Sequence, residues 1–134
     1  MIFWILDNFL NLFFYFLNME ECIFCKISRG EIESGKLYEN NSFFSIPDKN
    51  QKIKGHSLVI PKEHYETIED LKHELGGDLL DAIQKTMDKL SNEDSSVEGF
   101  NVINNCGEAA GQAIKHVHFH VLPRREGETP PQVY

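Results

Sequence analysis

A chain of 134 residues, 41% hydrophobic and 25% charged, has the length and composition of one globular domain able to bury its own core. Its formal net charge of -8 excludes a protein that coats nucleic acid, because that work needs lysine and arginine to neutralise phosphates. Three cysteines, two of them in the C-x-x-C pair Cys22 and Cys25, exclude a disulfide framework and point to a reducing cytoplasm.

Residues 1–18, MIFWILDNFLNLFFYFLN, are almost wholly apolar and aromatic, broken by Asp7, Asn8, Asn11 and Asn18. At about 100° per residue these polar positions fall on one narrow stripe, so a helix here is amphipathic and very greasy. Two readings stand. One is a membrane anchor, against which count a missing Lys/Arg flank and a segment short and polar for a span. The other is upstream sequence ahead of a start at Met19. No positive n-region or small-residue cleavage site marks a signal peptide.

Next, CIFCKISRGEIESG predicts a short helical turn around Ile23, Phe24 and Ile27 that closes at glycines. KLYENNSFFSIPD predicts two strands joined by a turn at 39–42, and HSLVIPK a further apolar strand after Gly55. From about Thr67 the period changes: Leu75, Leu79, Ile83, Met87 and Leu90 recur at helical spacing, with Gly76 and Gly77 positioned to break the first turn. A polar loop, the strand FNVINN, a Gly- and Ala-rich loop CGEAAGQ and the strand KHVHFHVLPR complete the domain. The expected boundaries are an apolar extension over 1–18, a domain over 19–126 and a polar, proline-containing tail over 127–134. Strands joined mostly by turns, with one long helix inserted, predict an α+β domain on an antiparallel sheet.

The last strand carries the chemistry. His116, His118 and His120 alternate with Val117, Phe119 and Val121, so the three imidazoles share one face and the apolar side chains take the other. Two functions fit such a row: an open zinc site for hydrolysis, or covalent catalysis in which one neutral imidazole attacks phosphorus while its neighbours position the phosphate and protonate the leaving oxygen. Just upstream, Asn104, Asn105 and Gln112 surround a glycine-rich loop whose backbone N–H groups can cradle an anion. Beside three histidines, that loop favours phosphate. The C-x-x-C pair reads as a redox couple, half of a tetrahedral zinc site, or two ordinary buried thiols; the βαβ context of a redox motif is missing. His73 lies on the polar side of its helical segment, and Cys106 in the loop has no assigned role.

Together CIFCKI, GHSLVIPKEHY, NNCGEAAGQ and HVHFHVLPR resemble, in order, the motifs of the histidine triad superfamily of nucleotide hydrolases and transferases, nearest its bacterial and archaeal members and the histidine triad nucleotide-binding branch. The resemblance implies an antiparallel sheet of about five strands with one long helix and a short N-terminal helix, a homodimer, and a purine nucleotide or nucleotide conjugate as ligand. It implies that His118 is the nucleophile toward the α-phosphorus, that His120 binds phosphate and assists the leaving group, and that His56 supports the network. Asn105, Gln112, Ala113 and Ile114 would hold phosphate, Asp48 the ribose hydroxyls, and Ile23, Phe24, Ile27 and Leu58 would wall the base. Members sharing the C-x-x-C pair resemble the zinc-bearing galactose-1-phosphate uridylyltransferase relatives, which implies a structural zinc on Cys22, Cys25, His64 and His116. Two features depart from the eukaryotic-type pattern: Ala113 stands where a serine assists the leaving group, and RREGETPPQVY lacks the tryptophan-containing tail. A nucleotide sensor with negligible turnover, and a zinc-water hydrolase with metal on the triad, are the alternatives. A membrane partner enters only if residues 1–18 are part of the protein.

Overall fold

The computed structural model describes residues 2–130, with side chains from Asp7 onward except those of Asn18 and Glu20. Three helices and five strands follow one another among these residues: α1 (Ile2–Glu21), α2 (Ile23–Ser28), β1 (Tyr38–Glu39), β2 (Phe43–Pro47), β3 (Ser57–Pro61), α3 (Gly76–Glu93), β4 (Val97–Ile103) and β5 (Phe119–Arg125). The strands form one sheet in the order β1-β2-β3-β5-β4, every neighbouring pair antiparallel. The expected α+β architecture is therefore the observed one.

Alternation of side chains divides the core between the two faces of the sheet. On one face Phe43, Val59, Phe119 and Val121 pack against Ala82 and Leu90 of α3. On the other, Phe44, Ile46, Leu58 and Ile60 pack against Phe24 and Ile27 of α2. The two β-strand parities thus send half of each strand under the long helix and half toward the short one. The helical spacing of Leu75 to Leu90 marks α3 correctly, but the line buried deepest is Ala82, Thr86 and Leu90. Thr86 is fully buried because its hydroxyl is partnered, donating to Ala82 O at 2.7 Å and lying 2.8 Å from Ser45 Oγ.

Three local readings shift. The helix begins at Gly76, and residues 67–75 form two 3-10 turns, Ile68–Asp70 and His73–Leu75, the first closed by a reciprocal Thr67–Asp70 capping box. β4 starts at Val97, three residues before the predicted FNVINN. β5 joins the ladder only at Phe119, so His116 and His118 precede it; Val117 N–H donates instead to Tyr65 O at 2.7 Å.

At the N-terminus, α1 runs through Met19 to Glu21, so the helix does not break at the expected boundary of 18. Residues 7–17 are exposed, with Phe9, Phe14 and Phe16 among the most open. Tyr15 Oη of α1 donates to His64 O at 3.3 Å. Among the described residues no helix is long and apolar enough to cross a membrane. Residues 131–134 of the polar tail lie outside the described residues.

Candidate functional site

Both candidate clusters sit on the α2 side of the sheet, and strand register puts Asp48, His56 and His120 there. Pro47 pairs with Ser57, and Asp48 N–H extends the ladder by donating to His56 O at 2.9 Å. His120 pairs with Leu58 on one side and Ile103 on the other. Ile46, Asp48, His56, Leu58 and His120 therefore share one face. Gly55 sets the approach to His56: its φ is 87°, and a Cβ there would meet Pro123 Cγ at 3.0 Å.

His118 is buried, and its Nδ1 lies 2.9 Å from the carbonyl oxygen of His116. A carbonyl only accepts, so Nδ1 carries the proton and Nε2 keeps its lone pair. That tautomer is the one a nucleophile needs. Asn104 Nδ2 donates to His118 O at 2.9 Å and holds the backbone of the same residue. The Phe24 ring meets His118 edge-on at 5.3 Å and His116 at 5.6 Å between centroids, which confirms that the two imidazoles share a face.

His120 lies 5.0 Å from His118 between ring centroids, and its Nδ1 is 2.9 Å from His56 Nε2. His56 Nε2 is in turn 3.6 Å from Asp48 Oδ2. Burial, then the neighbouring His118 and His56, press the His120 pKa down to about 4. Burial also lowers that of His56, against the pull of Asp48. Both imidazoles are neutral at pH 7, so His120 offers a phosphate an N–H hydrogen bond and no full charge.

His116 faces elsewhere. Its Nε2 lies 2.9 Å from Pro61 O, which fixes the proton there and frees Nδ1. Nδ1 then stands 3.2 Å from His64 Nδ1, 3.3 Å from Cys22 Sγ and 3.5 Å from Cys25 Sγ, while Cys25 Sγ is 3.3 Å from His64 Nδ1. All four donor atoms lie within 4.8 Å of one another. A tetrahedral zinc with two nitrogens and two sulfurs has nitrogen–nitrogen and nitrogen–sulfur edges of about 3.3–3.6 Å. The donor set and its spacing fit such an ion, and the His116–Pro61 bond supplies the outer support metal-bound imidazoles usually have. Burial opposes a thiolate at Cys22, but its close contacts with the His116 and His64 rings outweigh it and bring its pKa to about 5. Cys25, buried beside that charge, is pushed up to about 12.

The triad rings thus point to three different partners and do not converge on one point. Ile27, Phe24 and Leu58 lie together in the α2-side cluster with Ile114 packed against it, while Ile23 is exposed and lines a cleft of about 320 Å³ with Cys22, Ala113 and Ile114. Gln112 turns inward: its amide N–H groups donate to Glu66 O and Ile114 O at 2.6 and 3.0 Å, and its oxygen accepts from Gly107 N–H at 2.8 Å. These bonds tie the loop together and leave its side-chain donors engaged. Asn105 is half-buried and Ala113 exposed. Asn104, expected beside the phosphate loop, instead braces the His118 backbone, and the carbonyls of His116 and Pro61 that hold His118 and His116 have no signature in the sequence.

Residues 29–127 match the HIT domain family. An uncharacterized HIT-like protein of Methanocaldococcus jannaschii is 40% identical over 107 residues, 80% of this chain and 81% of its own. An adenosine 5'-monophosphoramidase of Candida albicans is 36% identical over 111 residues, 81% of this chain and 73% of its own. Among solved structures, a Zn-bound histidine triad family protein from Mycobacterium smegmatis superposes with a TM-score of 0.74 at 33% identity, covering 83% of this chain and 80% of that one.

Proposed function

The chain belongs to the HIT domain family, and on that footing we propose that it is a nucleotide-binding hydrolase or transferase acting at the α-phosphate of nucleoside phosphoramidates or dinucleoside polyphosphates. The observation that carries this reading is the His118 ring, its Nδ1–H bonded to a backbone carbonyl so that Nε2 keeps its lone pair, with no hydrogen-bond partner among the described residues. In the first step Nε2 attacks phosphorus, a P–N bond to His118 forms, and the bond to the leaving group breaks with its electron pair. The ring gains positive charge as it attacks, and the Nδ1–H bond to His116 O strengthens to hold it. Water then cleaves the nucleotidyl-histidine, releasing the nucleoside monophosphate and restoring the imidazole. His120 donates its N–H toward the phosphoryl and leaving groups, oriented by His56. Asp48 takes ribose hydroxyls, Asn105 and the backbone of 113–114 meet the phosphate, and Ile23, Phe24, Ile27 and Leu58 border the base.

Cys22, Cys25, His64 and His116 would hold one zinc ion. When bound, that ion cross-links α2 to the triad strand and takes no part in the reaction. The protein works as a homodimer in a reducing cytoplasm. In support, β4 is a sheet edge with Val102 exposed, Leu80 of α3 is exposed, and the three cysteines are free.

Incubation with adenosine phosphoramidate and with diadenosine tetraphosphate, each with and without chelator, tests the reading. Release of AMP that survives chelation supports it. Tight nucleotide binding with no release favours the sensor, which the missing serine at Ala113 keeps in view; chelator-abolished release at an intact fold favours a metal-bound water.

A further inference from the structure

Asp48, His56 and His120 form a second group of potential ligands, quite apart from the cysteines, with all three donor atoms within 4.8 Å of one another. We infer that this group binds a divalent first-row transition-metal ion through Asp48 Oδ2, His56 Nε2 and His120 Nδ1.

The distances carry the inference. His56 Nε2 and His120 Nδ1 are 2.9 Å apart, which is the edge subtended at about a right angle by two imidazoles bound at the usual 2.0–2.1 Å. Asp48 Oδ2 stands 3.6 Å from His56 Nε2, too far for a good hydrogen bond but the edge expected for two ligands about 120° apart on one ion. Without an ion, the pair of imidazoles satisfies itself through one N–H···N bond and the carboxylate oxygen falls short. An ion between them would give the carboxylate oxygen and both imidazoles one shared partner. Asp48 Oδ1 accepts from Asn50 N–H at 2.9 Å, an outer contact that turns Oδ2 toward the histidines. The remaining lone pairs of the carboxylate stay open to other donors.

Backbone register makes the arrangement stiff. Asp48 follows β2 and His56 precedes β3, joined by Asp48 N–H donating to His56 O, and His120 sits on β5 beside β3, so the ligands come from three adjacent chain segments on one face. Side-chain exposures of 23% for Asp48 and 16% for His56 leave a route for the ion and positions for water or an anionic oxygen. Two imidazoles and one carboxylate select zinc-, cobalt- or nickel-type ions over magnesium or calcium, which prefer oxygen throughout. A chain of net charge -8 also favours cation entry.

The test needs no nucleotide, so its failure leaves the proposed reaction standing, and failure of that reaction leaves this site standing. Protein whose cysteine–histidine centre is saturated with zinc, checked by elemental analysis, is titrated calorimetrically with cobalt(II) chloride. One further equivalent per chain is expected, with no matching heat from magnesium chloride. Asp48→Asn preserves side-chain shape and should weaken cobalt binding about tenfold or more. His120→Ala should do the same, whereas His118→Ala should leave it unchanged. Absence of a further equivalent in the folded wild-type chain overturns the inference. So does an equivalent that persists unweakened in both Asp48→Asn and His120→Ala.

Discussion

His116 and His118 stand two residues apart in one chain, on one face, against one phenylalanine ring, yet opposite ring nitrogens are engaged by backbone carbonyls. His116 spends Nε2 on Pro61 O and directs Nδ1 into a pocket of sulfur and nitrogen. His118 spends Nδ1 on His116 O and keeps Nε2 bare. The lesson is that a carbonyl oxygen, placed against one ring nitrogen or the other, decides whether an imidazole is arranged as a ligand or as a nucleophile. The single residue His116 links the two halves, since its ring belongs to the cysteine cluster and its carbonyl accepts from His118 Nδ1.

The largest effect should come from removing the proposed nucleophile. His118→Ala is expected to lower turnover by at least roughly a thousandfold while nucleotide affinity stays within a few-fold, because the rest of the pocket remains. Equilibrium binding and steady-state turnover measured on the same preparation separate the two quantities. Turnover retained in this variant would erase the contrast with His116. His120→Ala should be milder with a good leaving group than with a poor one, because an acid matters less when the departing group needs no proton.

Damage on the other side of Phe24 should read out differently. The pair Cys22→Ser and Cys25→Ser should remove bound zinc and lower the melting temperature by more than about 10 °C, with less effect on turnover per folded molecule. Elemental analysis with calorimetry checks it. Wild-type protein purified without chelator and free of zinc would dismiss the metal role.

Acid should weaken the catalytic half through burial of neutral imidazoles. The His120 pKa lies at about 4 in the folded chain against an ordinary value of 6.5, and that of His56 is lowered too. Between those values the unfolded chain binds protons that the folded chain refuses. Stability is therefore full above about pH 6.5 and declines as pH falls toward 4. Denaturant midpoints at pH 7 and pH 5 should differ less in His120→Ala than in wild type, and equal differences would deny that His120 is responsible.

The smallest effect is expected at the exposed N-terminus. A chain beginning at Met19 should fold and bind nucleotide as the longer one does, since residues 7–17 of α1 are exposed. Loss of solubility or binding on that truncation would give the segment a role in the domain.

Much of this was legible in the residues because strand alternation is a strong geometric rule. The shared face of His116, His118 and His120 follows from parity alone, and so does the opposite face of Val117, Phe119 and Val121. The helix was legible from the 75–90 spacing, though its first turn was not, because Gly76 and Gly77 can begin a helix as easily as interrupt one. The ladder's late start at Phe119 was hidden, since it depends on Val117 bonding to Tyr65 from a distant loop. Directions within a residue type were hidden as well. Gln112 and Asn104 both resemble phosphate donors on paper, but one braces its own loop and the other braces His118. Only tertiary contact distinguishes them.

The proposed chemistry turns on a covalent bond between His118 and phosphorus, which is labile in acid and stable in base, so a rapid denaturing alkaline quench detects it. Wild-type protein mixed with substrate labelled at the α-phosphate and quenched within the first turnover should carry the label on protein, and His118→Ala should carry none. Steady turnover with no protein-bound label in wild type at any quench time would rule out the covalent intermediate and leave direct attack by water in its place.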